Sequence, residues 1–284
     1  MSKIPVSVVI MTRNESNNIE ACLASVADCD EVFVVDSNST DDTVEKAEKL
    51  GARVVSFTWN GQFPKKKQWC LDNLPFSHDW VLYVDADECV TPAVAQEIAD
   101  ALKQSPPPVA GYFVGYDYYF MDRCLRFGRR IYKLVLFNRH KGEFLDYKDH
   151  DIANMWEVEG HYQPKITGET RVLRNRMIHR DHDDLYHFFE RHNRYSDWEA
   201  ALRERGLDYA EFETQPGFRP LLKRLWIKAP CRTFLIFVYA YFLKLGFLDG
   251  RAGYDYAVAQ AIHFWQVGLK QRELRKRRKG AAGV

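Results

Sequence analysis

The sequence contains no C-x-x-C pair, and its six cysteines (Cys22, Cys29, Cys70, Cys89, Cys124 and Cys231) show no metal-ligand spacing. That argues against a zinc-ribbon or disulfide framework and for free thiols in a reducing compartment. A bilayer-spanning helix needs about 20 consecutive apolar residues, and the run from Phe234 to Leu243 has only ten. Met1 to Pro5 is too short and too broken for a signal peptide. Thr12 to Ser16, which follows the first apolar run, has no glycine, so no glycine-rich phosphate loop begins there. Net charge is also scarce, +1 over 284 residues, but it is unevenly placed. From Arg219 to the end there are 14 Lys/Arg against 3 Asp/Glu, a net of +11, which leaves −10 for residues 1 to 218. A basic end on an acidic body predicts contact with an anionic surface.

With 46% hydrophobic residues the chain can bury a full core. Val6 to Met11 is a near-continuous apolar run of the kind that forms a strand buried on both faces, and Ile19, Cys22, Leu23 and Val26 then recur at helical spacing. Glu31 to Val35 reads as a second strand. A helix capped by Ser39 or Thr40 and running to Leu50 follows, with Gly51 at its exit. Arg53 to Phe57 is a third strand, and a helical piece carrying Lys65, Lys66 and Lys67 leads to a fourth, Trp80 to Val84. Thr91 and Pro92 mark the next helix start. Strand and helix in short alternation predict an α/β fold with a mostly parallel sheet and helices on both faces.

The fourth strand stops at three acids in four positions, Asp85, Asp87 and Glu88. Paired carboxylates at the C-terminal end of such a strand suit a hard divalent cation that also takes phosphate oxygens. Thr12, Asn14 and Glu15 follow the first strand, Asp36 and Ser37 the second, so these polar groups should converge at one sheet edge and frame a nucleotide pocket. A lysine from 65 to 67 can face a diphosphate there. Each group also has a plainer reading: Asp36 to Asp42 as a turn and cap, the lysines as a solvated helix face.

Ser7 to Glu15, Val34 to Thr43 and Tyr83 to Glu88, in that order and spacing, resemble the nucleotide-sugar domain of family 2 glycosyltransferases, which have a GT-A fold. The resemblance implies a UDP-sugar donor. It implies nucleoside contacts from Thr12, Asn14, Glu15, Asp36 and Ser37, a diphosphate contact from Lys67, and Mg²⁺ or Mn²⁺ held by Asp85 and Asp87. A looser similarity, carried by Asp36 to Asp41, Gly111 to Phe120 and Gly246 to Gly253, links the chain to the lipopolysaccharide-core glucosyltransferase subgroup. In that subgroup the base lies in a His-Glu pair, which aligns with His161 and Tyr162. The glutamate is missing there, so Glu159, and next Glu157, are the candidate bases for deprotonating an acceptor hydroxyl.

Three regions follow from this reading: a donor half over 1–105, an acceptor half over 106–183, and a basic helical region over 184–284. In the acceptor half, Gly111 to Phe120 and Ile131 to Asn138 read as strands whose aromatics serve the core or stack on a sugar. His179, His182, His187 and His192 do not share one helix face, which favours packing or contact with an anionic acceptor over zinc. Asp181 to Asp184 reads as a helix start, followed by a stripe of Leu185, Phe188, Phe189, His192 and Tyr195.

Phe234 to Leu243 suits an interfacial or re-entrant segment, and Lys270 to Lys279 is a polybasic patch. The expectation is an inverting, metal-dependent enzyme, peripheral on the cytoplasmic side of the inner membrane. Its acceptor would be a lipid-linked (polyprenyl-diphosphate) oligosaccharide or, alternatively, lipopolysaccharide core. Nucleic-acid binding is not expected, because the basic tail has no recognised fold to carry it. A nucleotidyltransferase is disfavoured by the missing glycine loop, and a catalytically inactive glycan- or membrane-binding scaffold by the intact Asp85/Asp87 pair.

Overall fold

The computed structural model describes residues 3–104, 109–128, 130–152, 155–158, 163–182, 184–206 and 231–281. It divides into two compact units. The first comprises Met1–Cys124, Arg130–Leu145 and Glu157–His182, and the second Leu125–Arg129, Asp146–Trp156 and Asp183–Val284.

In the first unit, the apolar runs become strands β1 (Ile4–Thr12), β2 (Cys29–Asp36), β3 (Arg53–Ser56) and β4 (Trp80–Asp85). Helices α1 (Ile19–Ser25), α2 (Thr43–Lys49) and α3 (Lys66–Asn73) alternate with them. These four strands are parallel, in the order β3-β2-β1-β4. Val6, Val8, Val9 and Ile10 of β1 are wholly buried, each contributing about 1.5–3 kcal/mol relative to exposure. The helix after β2 begins later than its sequence predicts, at Thr43. Ser39 turns its hydroxyl onto the Asp36 carboxylate instead of capping a helix, and Asp41 accepts the Thr43 N–H.

Beyond β4 the sheet becomes mixed, which corrects the expectation of a mostly parallel one. The two-residue β5 (Glu88–Cys89) and α4 (Pro92–Gln104) come next, with Thr91 accepting the Val94 N–H. Then follow β6 (Val109–Phe120), β7 (Arg123–Leu125), β8 (Tyr132–Asn138), the short pair β9 (Gly142–Glu143) and β10 (Lys165–Ile166), and β11 (Glu169–His179). β8 joins β4 antiparallel, β6 joins β8 antiparallel, β11 joins β6 in parallel, and β5 closes that edge antiparallel to β11. The expected donor and acceptor halves therefore share one sheet. The aromatics of β6 serve mainly the core: Tyr112, Phe113, Tyr116 and Phe120 are all buried.

In the second unit, α5 (Leu185–Glu204) starts where the acidic run predicts, with the Asp184 carboxylate accepting the His187 N–H. Of the expected stripe only Phe188 is fully buried, while Leu185 and Phe189 face outward. His192 packs on the Phe188 ring at 4.0 Å. Further on, α6 (Arg232–Val238) passes through a π-type turn (Tyr239–Leu243) and a 3-10 turn (Gly246–Asp249) into the 32-residue α7 (Gly250–Ala281).

The Gly246 to Gly253 stretch makes this elbow by backbone contact. A Cβ on Gly253 would lie 2.0 Å from the Gly246 carbonyl oxygen, and one on Gly246 2.7 Å from that of Ala240. Asp249 then accepts the N–H groups of Arg126 and Phe127. Gly253→Ala should cost about 3 kcal/mol, because backbone cannot yield as a side chain would. Gly268→Ala in the same helix would meet only the Arg272 guanidinium at 3.9 Å and should be neutral or stabilising by up to about 1 kcal/mol. Thermal melts of both variants check this pair, and equal melting temperatures would refute it.

Candidate functional site

Strand register brings the predicted groups together. Thr12 is the partner of Asp36 across β1 and β2, and Met11 that of Asp85 across β1 and β4. The loops after three adjacent parallel strands therefore leave from one edge. The first two are laced to each other. Thr12 Oγ1 donates to Asp36 Oδ1 at 2.8 Å, and Asp36 also accepts from the Ser39 hydroxyl and N–H. Asn14 N–H donates to Ser39 Oγ, and Asn14 Oδ1 accepts the Thr40 N–H at 2.8 Å. Asn14 and Asn38 both have φ of +57°, a left-handed conformation that asparagine tolerates better than most residues. Asn14 thus has a backbone reason for its identity. Glu15 donates its N–H to Thr43 Oγ1, and its carboxylate accepts from Asn18.

The three lysines separate by what they touch. Lys65 lies over the Trp59 ring. Lys66, 1% exposed, donates to the Thr12 carbonyl and to Ser37 Oγ. Burial brings its pKa down to about 8, against the pull of Glu157 and Asp36. It is a pin beneath the loops rather than a ligand-facing charge. Lys67 is the lysine whose charge helps hold Asp85 ionised, and its carbonyl accepts from the Tyr83 hydroxyl on β4.

The acids after β4 form a dense cluster with two residues from distant strands. Lys133 on β8 donates to Asp85 Oδ2 at 2.7 Å and to Glu88 Oε1 at 2.6 Å. Glu88, 0% exposed, also accepts from the Tyr116 hydroxyl. His179, at the end of β11, places Nε2 3.6 Å from Asp87 Oδ2 and Nδ1 3.5 Å from Glu88 Oε1, and stacks on Tyr118 at 4.8 Å. Burial alone would raise the Asp85 pKa, but the charges of Lys133 and Lys67 outweigh it and hold the group well below the usual range. Asp87 shifts the other way: burial, with Asp85 and Glu88 beside it, raises its carboxyl despite His179. For His179, burial favours the neutral ring, but the Asp87 charge together with the hydrogen bond and charge of Glu88 outweighs it, so its pKa is raised.

Asp87, Glu88 and His179 each offer a ligand atom, all within 4.8 Å of one another. Carboxylate with imidazole is a donor set that accommodates Mn²⁺ or Mg²⁺. Because Glu88 already accepts from Lys133 and Tyr116, Asp87 and His179 are the better placed donors. Asp85, expected to share the ion with Asp87, has one oxygen on Lys133. Glu157 lies beside the first loop, its Oε2 3.3 Å from Arg13 Nη1 and its carbonyl accepting the Lys66 N–H. Glu159, with His161 and Tyr162, lies outside the described residues.

Sequence reasoning missed Glu88, Lys133 and His179 as site residues. Glu88 adjoins the acidic pair and was legible by position. His179 groups by sequence with the histidines that follow it, but it ends a strand, whereas His187 and His192 lie on α5.

A sheet that gathers hydroxyl, carboxylate and lysine groups at the ends of adjacent parallel strands belongs to the α/β enzymes that bind ligands at such edges. Within that class the chain belongs to glycosyl transferase family 2, whose family model matches residues 7–181. The lipopolysaccharide core biosynthesis glycosyltransferase LpsC of Rhizobium meliloti is 26% identical over 288 residues, covering 93% of each chain. An uncharacterized glycosyltransferase of Rickettsia conorii is 44% identical over 97 residues, 33% of this chain; the match spans only 32% of that relative's length. Among solved structures, the mannosyltransferase PcManGT from Pyrobaculum calidifontis, in complex with GDP-Man and Mn²⁺, overlaps with a TM-score of 0.49 at 17% identity, covering 95% of this chain and 87% of that one.

Proposed function

We propose that the protein is an inverting glycosyltransferase that moves a sugar from a UDP-type nucleotide donor to a membrane-anchored glycan. The observation that carries this is the shared edge of β2, β1 and β4, with Asp36, Thr12 and Asp85 at adjacent strand ends and the Asp87–His179 pair beside them. Thr12 and Asp36 shape the nucleoside end of the pocket. Lys67 supplies positive charge toward the diphosphate, and Lys133 offsets two of the three acids so that a polyanion can approach. Asp87 and His179 would hold a divalent cation, which when bound offsets charge growing on the leaving diphosphate.

Inversion requires one carboxylate to take the acceptor proton as the hydroxyl attacks. Glu157 is engaged by Arg13, so Glu159 is the base we assign. Glu159→Gln should leave UDP binding intact and cut turnover by about 10² or more; unaltered turnover would discard it. Similarity to LpsC over nearly the whole chain moves lipopolysaccharide core ahead of a polyprenyl-diphosphate-linked glycan as acceptor. The reading as a whole is tested by calorimetry of UDP binding with and without Mn²⁺, followed by transfer assays with a panel of UDP-sugars. Metal-enhanced binding is expected, and silence under both conditions would leave a non-catalytic scaffold.

A further inference from the structure

Several clusters in the second unit are settled by their own pairing. Glu199, for example, is held down to about 2: burial raises it, but His263, Arg203 and Arg232 outweigh that. The elbow between α6 and α7 is different, because its apolar groups face outward. Phe234 is 65%, Leu243 69% and Trp265 51% exposed. Along α7 the exposed positions Tyr254, Ile262, Trp265 and Leu269 recur at steps that keep them on one helix face, with half-buried Val258 filling the gap. This stripe is about 22 Å long. The Tyr241 ring joins it to the elbow, contacting Phe242 at 5.0 Å, Tyr254 at 5.6 Å and Phe247 at 6.2 Å.

The same face of α7 then continues as Arg272, Lys276 and Lys279, all exposed and making no ion pair with any described residue. No single helix among the described residues is long and apolar enough to cross a membrane, and the two helices are bent by 71° at their junction. A one-sided apolar face rich in Trp, Tyr and Phe, continued by cations that pair with no described residue, matches the interface of an anionic bilayer.

We infer that the outward face of the α6–α7 elbow lies in the surface of an anionic membrane, with Leu243 and Trp265 buried among lipid and Arg272, Lys276 and Lys279 on headgroup phosphates. The inference concerns where an acceptor would be met, but it does not rest on the transfer reaction. The test is sedimentation of the full-length chain with phosphatidylcholine vesicles, with and without phosphatidylglycerol, at low and high salt. Binding should require the anionic lipid and weaken with salt. Leu243→Ser combined with Trp265→Ser should weaken it at least about tenfold, and Arg272→Glu with Lys276→Glu about fivefold or more per position. All four side chains are exposed, so an unchanged thermal melt is the folding control, and unchanged UDP binding separates failure here from failure of the proposed activity. Indifference of the native chain to anionic vesicles would overturn the inference, as would variants that bind like the native chain. So would a native dimer that the Leu243/Trp265 variant splits, because the face would then belong to a second copy.

Discussion

Asp87→Asn is expected to lower sugar transfer by about three orders of magnitude or more, the several kcal/mol that charge stabilisation at a leaving diphosphate supplies. The substitution is nearly isosteric, so the loss would be of charge and not of shape. Mn²⁺ affinity should fall with it, while UDP binding measured without metal should change little. Stability should move in the opposite direction to activity. Burial and two neighbouring carboxylates already raise the Asp87 pKa, so the native fold carries this carboxylate at a cost that Asn relieves. A melting temperature equal to or above that of the native chain, together with lost turnover, is the pattern of a group kept for chemistry rather than folding. Turnover within tenfold of the native enzyme would remove Asp87 from the site.

Lys133→Met should produce the reverse: a large loss of stability. Glu88 is 0% exposed and takes one of its charge-assisted hydrogen bonds from Lys133. Removing one member of a buried ion pair costs about 3–5 kcal/mol. For a unit of this size that is a fall of roughly 6–20 °C in melting temperature. Adding Glu88→Gln should recover most of it, because the amide leaves no unpaired charge. A single variant that melts with the native chain would show that Lys133 is not the counter-ion the geometry makes it.

Both experiments probe the part of the site that was hardest to see in the sequence. Strands β1, β2 and β4 were legible because each holds a nearly continuous apolar run that ends abruptly in polar residues, as at Val84 to Asp85, while β3 is a short edge strand with no buried residue. Continuous burial of that sort admits little besides a central parallel strand. Strand β11 gave no such signal. Its eleven residues are half exposed and include Arg171, Arg174 and Arg176, so neither alternation nor a run marks it, and in sequence His179 at its end stands with the histidines that follow. Lys133 was hidden for another reason. It stands in a run that is plainly a strand, but which strand pairs with which, and so which acids a lysine meets, depends on contacts nearly fifty residues away in sequence. The Gly246 to Gly253 motif was visible as a motif, while its purpose, two chain segments touching through backbone, required coordinates.

The lacing of the first two loops bears on how a donor would arrive. Asn14, Ser39, Thr40 and Asp36 bind one another directly, so these two loops stand as a finished mould rather than a flap that closes on its guest. Ligand capture there should resemble docking into a rigid socket, its association rate governed by encounter and electrostatic attraction instead of a slow rearrangement.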